Sequence, residues 1–145
     1  MSMEKELLNT FDKELLLKDL CARLPYGVKV NGLFLAYDKD KDKILYKECV
    51  KKLDYNHLSR YWTLKPYLFP LSSMTDKDLV KFLQIKGMNL NSDELKIFRR
   101  EPITIVSTLP SYSRHIDWLN KNHFDYRGLI EKSLALDATN LGIYE

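Results

Sequence analysis

The feature that most constrains this chain is a change of period at "LPYG", residues 24–27. Upstream, between Glu4 and Leu20, the apolar residues Leu7, Leu8, Phe11, Leu15, Leu16 and Leu17 recur three and four apart, the spacing that lines one face of an α-helix. Pro25 disfavours helical backbone at Leu24, and Gly27 supplies a break. Downstream come short runs rich in β-branched and aromatic residues: "VKVNGLFLAY" from Val28, "KILYKECV" from Lys43 and "YWTLKPYLF" from Tyr61. Helix spacing that gives way to strand spacing at one point predicts a helix followed by an antiparallel meander. Pro66 cannot donate to a ladder, so the third run is expected at an edge or leaving the sheet there.

Helical spacing returns after Ser72. Thr75 with Asp78 three residues on marks a helix start, Leu79, Val80, Phe82 and Leu83 supply its apolar positions, and Gly87 marks an end. "NSDELKIFRR" reads as a short helical turn and "ITIVSTLP" as a brief strand closed by Pro110. The tail from Arg114 reads as helix in two pieces. The first carries Ile116 and Leu119 on one face and Trp118 in the core; the second is capped by Asp125 and buried through Leu129, Ile130 and Leu134. The fold class is α+β: an N-terminal helix, a small antiparallel sheet of three to five strands, and C-terminal helices packing on it. All 145 residues are expected in one domain, sheet-rich over about 26–70 and mostly helical over about 72–138.

A chain of this length buries roughly two thirds of its unfolded surface and needs no disulfide or metal to fold. Hydrophobic residues at 45% and charged residues at 30% exclude the disordered and membrane classes. No run of apolar residues is long enough to span a bilayer, and "MSMEKELLNTFDKELLLKDL" interleaves acids and bases where a leader would be greasy, so a cytoplasmic protein without a membrane partner is expected. Cys21 and Cys49 sit among apolar neighbours and read as two reduced, mostly buried thiols. The net charge of +3 is too small to indicate a nucleic-acid partner by itself. In the tip "DKDKDK", Asp38, Asp40 and Asp42 mimic the start of a calcium loop, but Lys43 and Cys49 occupy the positions of its essential Gly and Glu. The tip is therefore read as a solvated hairpin end with interleaved charge.

Three stretches together, "LLLKDLCARLPYGVKV" from Leu15, "KPYLFPLSSMTDKD" from Lys65 and "IDWLNKNHFDYRGLIEKSLALDA" from Ile116, resemble a group of small uncharacterised proteins encoded by Bacteroidales genomes, prophages and other mobile elements. The stretches make up a little over a third of the chain. The resemblance implies a bacterial or phage origin, the cytoplasm of a bacterial host cell, and an accessory role; within the group the stretch between Asn31 and Tyr61 varies in length and content. It brings no site residues with it, because the group has no assigned activity.

Candidate chemistry is sparse. His115 and His123 each have a carboxylate two residues on, Asp117 and Asp125, but residues two apart do not share a helix face and residues eight apart are rotated by roughly 80°. Asp125 is better read as a cap, and zinc spacings are missing. Cys21 falls at a helix C-terminus, which raises a thiol pKa and works against a nucleophile. There is no phosphate-cradling glycine motif and no nucleophile elbow. No catalytic residue, metal or cofactor is assigned.

The leading expectation is a non-enzymatic accessory protein of a mobile element or phage that acts by protein–protein binding. The alternative is a single-stranded nucleic-acid-binding module using Lys47, Lys51, Lys52, Arg60, Tyr61 and Trp62, where rings and cations interleave although Glu48 and Asp54 interrupt them. A small enzyme is third. An exposed apolar patch would mark the first, a continuous positive face the second, and a deep pocket with converging polar groups the third.

Overall fold

The computed structural model describes residues 8–83 and 112–145. The expected elements at "NSDELKIFRR" and "ITIVSTLP", and the helix end at Gly87, lie outside the described residues.

Helix α1 runs Thr10–Arg23. It begins at Thr10 because the Asn9 side chain accepts a hydrogen bond from the Asp12 N–H at 2.7 Å, satisfying one of the free donors of the first turn. It ends where Leu24–Tyr26 tighten into a 3₁₀ turn closed by Gly27 in the left-handed conformation. The buried face is Leu16, Asp19, Leu20 and Arg23, later in the chain than the stripe the leucines suggest. Phe11 is 65% exposed, and Cys21 is exposed as well, contrary to the expectation of a core thiol. The reason is geometric: the face centred on Leu16 and Leu20 excludes both positions.

Strands β1 (Lys29–Asp38) and β2 (Lys43–Lys52) form an antiparallel hairpin with Tyr37 opposite Ile44 and Leu33 opposite Glu48. The third apolar run behaves differently from the expected meander. Asp54 caps a stretch of 3₁₀-helix, Tyr55–Thr63, by accepting from Asn56 N while its own N–H donates to His57 Nδ1, so Tyr61 and Trp62 lie on helical turns. Strand β3 starts only at Lys65 and runs to Pro70. It pairs with β1 antiparallel at Val30–Pro66 and Asn31–Lys65, then with β4 (Phe124–Asp125) and β5 (Leu136–Asp137) in parallel. The sheet is thus mixed, and β3 lies inside it. Pro66 limits the β1 ladder to two pairs, and the strand finds its remaining partners on the other side: Phe69 N–H donates to His123 O and Leu68 O accepts from Ala138 N–H, each at 2.8 Å.

Helix α2, Asp76–Leu83, opens on the expected capping box, with Thr75 Oγ1 accepting from Asp78 N–H and Asp78 Oδ2 from Thr75 N–H. Helix α3, Tyr112–Lys121, stops at Asn122, and His123 takes the left-handed position after it. The second helical piece expected beyond Asp125 is a series of turns. Asp125 does cap, taking Leu129 N–H at 3.0 Å and Ile130 N–H at 2.9 Å, but Gly128 at φ +73° diverts the backbone before a helix can propagate. Leu129 and Leu134 reach the core all the same.

Two apolar clusters result. One joins Leu16 and Leu20 of α1 to Val30 and Phe34 of β1, Leu64, Leu68 and the Leu129–Ala135 turns. In the other, Met74, Leu79, Phe82, Leu119 and Phe124 tie α2 to α3, with Trp118 packed on it, half-buried and stacked on Phe124 at 5.7 Å. At Gly32 the backbone passes so close to Leu64 that a Cβ there would lie 2.6 Å from Leu64 Cδ2.

Between the clusters lies a polar node. Asp19, wholly buried, accepts from Arg23 Nε at 2.9 Å and from Arg127 Nη1 at 2.6 Å, while Arg23 Nη2 donates to the Phe124 carbonyl at 2.6 Å. Removing one member of a buried ion group leaves the others unpaired in a low dielectric. Asp19→Ala is expected to cost about 3–5 kcal/mol in urea unfolding, against about 1–2 kcal/mol for Arg127→Ala, whose side chain is partly solvated. Equal costs would show that Arg23 is not dependent on Asp19.

Candidate interaction surface on the hairpin

The β1–β2 hairpin is paired over its full length, but among the described residues β1 meets β3 only at Val30 and Asn31, and the strands beyond Leu33 have no further neighbour in the sheet. Side chains alternate across it. Val30, Gly32 and Phe34 turn inward and are buried, Phe34 under the His57 ring at 4.9 Å and the Lys51 ammonium at 5.2 Å. Leu33, Leu35 and Tyr37 turn outward and are 54%, 58% and 59% exposed. In β2 the residues on that same outer face are Ile44, Tyr46, Glu48, Val50 and Lys52, of which Ile44 and Tyr46 are 66% and 59% exposed. Six large apolar side chains therefore share one open face of a two-stranded ribbon. Arg60 sits against this face, its Nη2 donating to Leu33 O at 3.2 Å and its guanidinium 5.4 Å from the Tyr46 ring centre.

The tip is tied down internally. Asp38 Oδ1 accepts from Asp40 N–H at 3.0 Å and Lys41 N–H at 3.3 Å. The Tyr37 hydroxyl donates to Asp42, a bond that raises the tyrosine pKa, and two of the three carboxylates that mimic a calcium loop are so occupied. From Lys29 to Lys52 there are seven lysines and four acids, a surplus of three that equals the net charge of the whole chain. The period of two sends Lys43, Lys47 and Lys51 to the side opposite the apolar strip.

The six residues of the nucleic-acid alternative are consequently dispersed. Lys47 and Lys51 lie on the inner side of β2, Lys52 on the outer side at the hairpin base, and Arg60 over Tyr46. Tyr61 packs half-buried against the core, and Trp62 stands edge-on to it at 5.3 Å with Lys13 above its ring. Rings and cations that alternate in sequence fall on different surfaces once the strand ends at Lys52 and the helical turns begin. The signal for the apolar face lies in "GLFLAY", which has apolar residues at both parities in a strand whose partners cover one side.

The histidines do not converge. His115 is buried edge-on to Phe82 at 4.9 Å, and His123 stacks on Tyr144 at 3.8 Å. Asp125 spends both oxygens on backbone donors. Among the described residues no three His, Cys, Asp or Glu side chains are placed to share a metal ion. An open groove of about 560 Å³ between α1 and α3 is lined by Leu15, Lys18, Ser113, Ile116, Asp117, Tyr126 and Arg127, the last already bound to Asp19. No described helix is long and apolar enough to cross a membrane. Comparison with protein-family models, with curated proteins and with solved structures finds no match.

Tyr144 fastens the last residues to the sheet, its hydroxyl donating to Tyr67 O at 2.6 Å and accepting from Lys29 N–H at 2.9 Å, and burial pushes its pKa up to about 12. Beneath it, burial first and then the charges of Arg23 and Lys29 lower His123 to about 4. The folded imidazole thus refuses a proton that the unfolded chain accepts near its ordinary 6.5. Its contribution is complete above pH 6.5 and is lost as pH falls from there towards 4. With its partial exposure allowed for, the loss is expected to be about 1–2 kcal/mol. His123→Asn, which tolerates the left-handed backbone, should remove that slope from urea midpoints measured between pH 7 and 5; an unchanged slope would assign the titration to another group.

Proposed function

We propose that this chain is a non-enzymatic accessory protein of a bacterial mobile element or phage, working in the host cytoplasm by holding a protein partner against the outer face of its hairpin. The observation that carries the reading is the row Leu33, Leu35, Tyr37, Ile44, Tyr46 and Val50, each at least 40% exposed on one face. Soluble monomers rarely leave contiguous apolar patches of more than a few hundred Å² open unless something docks there. Aromatic and aliphatic anchors with little charge among them are also the composition of interface centres. The mobile-element setting rests on the resemblance of the three stretches.

The nucleic-acid alternative keeps one supporting observation, the concentration of the net positive charge on the hairpin. The lysines and the stacking surfaces point apart, which leaves charge without the aromatic platform that single strands use.

The test presents the wild-type chain and a Leu35→Glu, Tyr46→Glu variant, as tagged baits, to the proteins encoded beside its gene. One of them is expected to be retained by the wild type and lost with the variant. Retention by both would refute docking at this face, and so would retention by neither from a chain that is also monomeric. Fluorescence anisotropy with mixed-sequence oligonucleotides checks the alternative: binding tighter than roughly 10 μM that weakens on Lys51→Glu and steeply with salt would make nucleic acid the partner.

A further inference from the structure

We infer that the occupant of the hairpin's outer face is a second copy of this chain, the two ribbons stacking face to face about a twofold axis. The inference rests on the reading of that face as a docking surface and names what docks.

Area is the first argument. A large side chain presents about 150–250 Å² when fully open, so six at the observed exposures present on the order of 600 Å². Two such faces together cover about 1,200 Å², the lower end of specific protein–protein interfaces. An interface of this kind is isologous, so one face need only match itself.

Charge is the second. On β2 the outer face holds one acid, Glu48, and one base, Lys52, and a twofold can set each against the other's partner in the second copy. Arg60 adds a cation at its rim, and the surplus lysines Lys43, Lys47 and Lys51 project from the opposite side, away from the contact. With Lys29, opposite Lys52, turned to the Ile143 carbonyl, the face that would meet itself carries one acid against the cations Lys52 and Arg60, a surplus of one beside the three lysines that project away from it.

Among the described residues the outer edge of β2 has no strand partner; this edge offers the competing route, and register disfavours it. Two β2 strands related by a twofold pair antiparallel with a residue on the axis. The registers that join most of Lys43–Lys52 centre on Lys47, which also sets Lys43 against Lys51, or on Glu48, which meets itself. Like charges directly opposed across strands are destabilising, and lysine-bearing edges resist such pairing. Face and edge therefore make different demands on different residues.

Sedimentation velocity on the full chain from about 1 to 100 μM reads the outcome. The expected species has twice the 17.1 kDa chain mass, with a dissociation constant at or below roughly 10 μM. Leu35→Glu and the milder Tyr46→Ser should each weaken it at least tenfold with an unchanged far-ultraviolet spectrum, while Lys47→Thr on the edge should leave it intact. A wild type that stays monomeric across the range overturns the second copy; if the Leu35→Glu, Tyr46→Glu pair still loses a neighbour-encoded protein, the docking reading survives with a different occupant, and if it does not, both fall. A dimer insensitive to Leu35→Glu and Tyr46→Ser also overturns the inference, as does a monomer that co-sediments with phosphatidylglycerol vesicles through Leu35, which would make the face a lipid contact.

Discussion

The Asp19 carboxylate is the point on which the rest of the structure depends. It lies on the inner face of α1, where a charge is costly, and the cost is met by two guanidiniums, one from the same helix and one from the turn after β4. Arg23 then passes the connection to the Phe124 carbonyl and over the Tyr126 ring, whose hydroxyl donates to Asn120 at the end of α3. Backbone that runs through two-residue strands and turns, with little ladder of its own, is fixed by this node. "DLCARLPYG" and "NHFDYRG" meet here, and "KPYLFP" contributes β3, which pairs beside them at Phe124.

The hairpin follows another logic. It leaves the interior after Phe34, and from there, among the described residues, each strand pairs with the other alone and one apolar side is exposed. A two-stranded ribbon is marginal in water by itself, so its length beyond the core requires some compensation. Within the chain that compensation is partial: the Tyr37–Asp42 bond, the turn at Asp38 and the Arg60 contact to Leu33 hold the end in shape without covering the face.

How far the sequence could be read depended on whether a signal was local. The helix stop at "LPYG", the hairpin around the charged tip and the Thr75–Asp78 box all follow from neighbours in sequence, and the structure has them. Pro66 is misleading because its edge preference concerns one side of a strand, whereas β3 is completed on the other side by residues 55 and 69 positions away. Strands β4 and β5 have two residues each, too few for any period to register. Asp125 was legible as a cap but not as the cap of a turn, since the decision falls to Gly128 and to the pull of Leu129 and Leu134 towards the core. Of the candidate site, Arg60 and Lys52 among the residues singled out lie on the apolar face; parity placed Tyr46 beside Arg60 and Lys47 and Lys51 behind.

The close passage of Leu64 over Gly32 has a consequence for how this fold can be altered. It acts as a collar: at Gly32 and Phe34 the hairpin is clamped to the core, and beyond them the strands are held by each other and by the Arg60 contacts. Lengthening both strands by two residues above the collar would preserve parity on either face and leave the interior untouched, whereas one residue added to a single strand would invert the faces of everything beyond it. The hairpin is an arm of adjustable reach on a fixed mount, and its outer face can be altered without refolding what holds it.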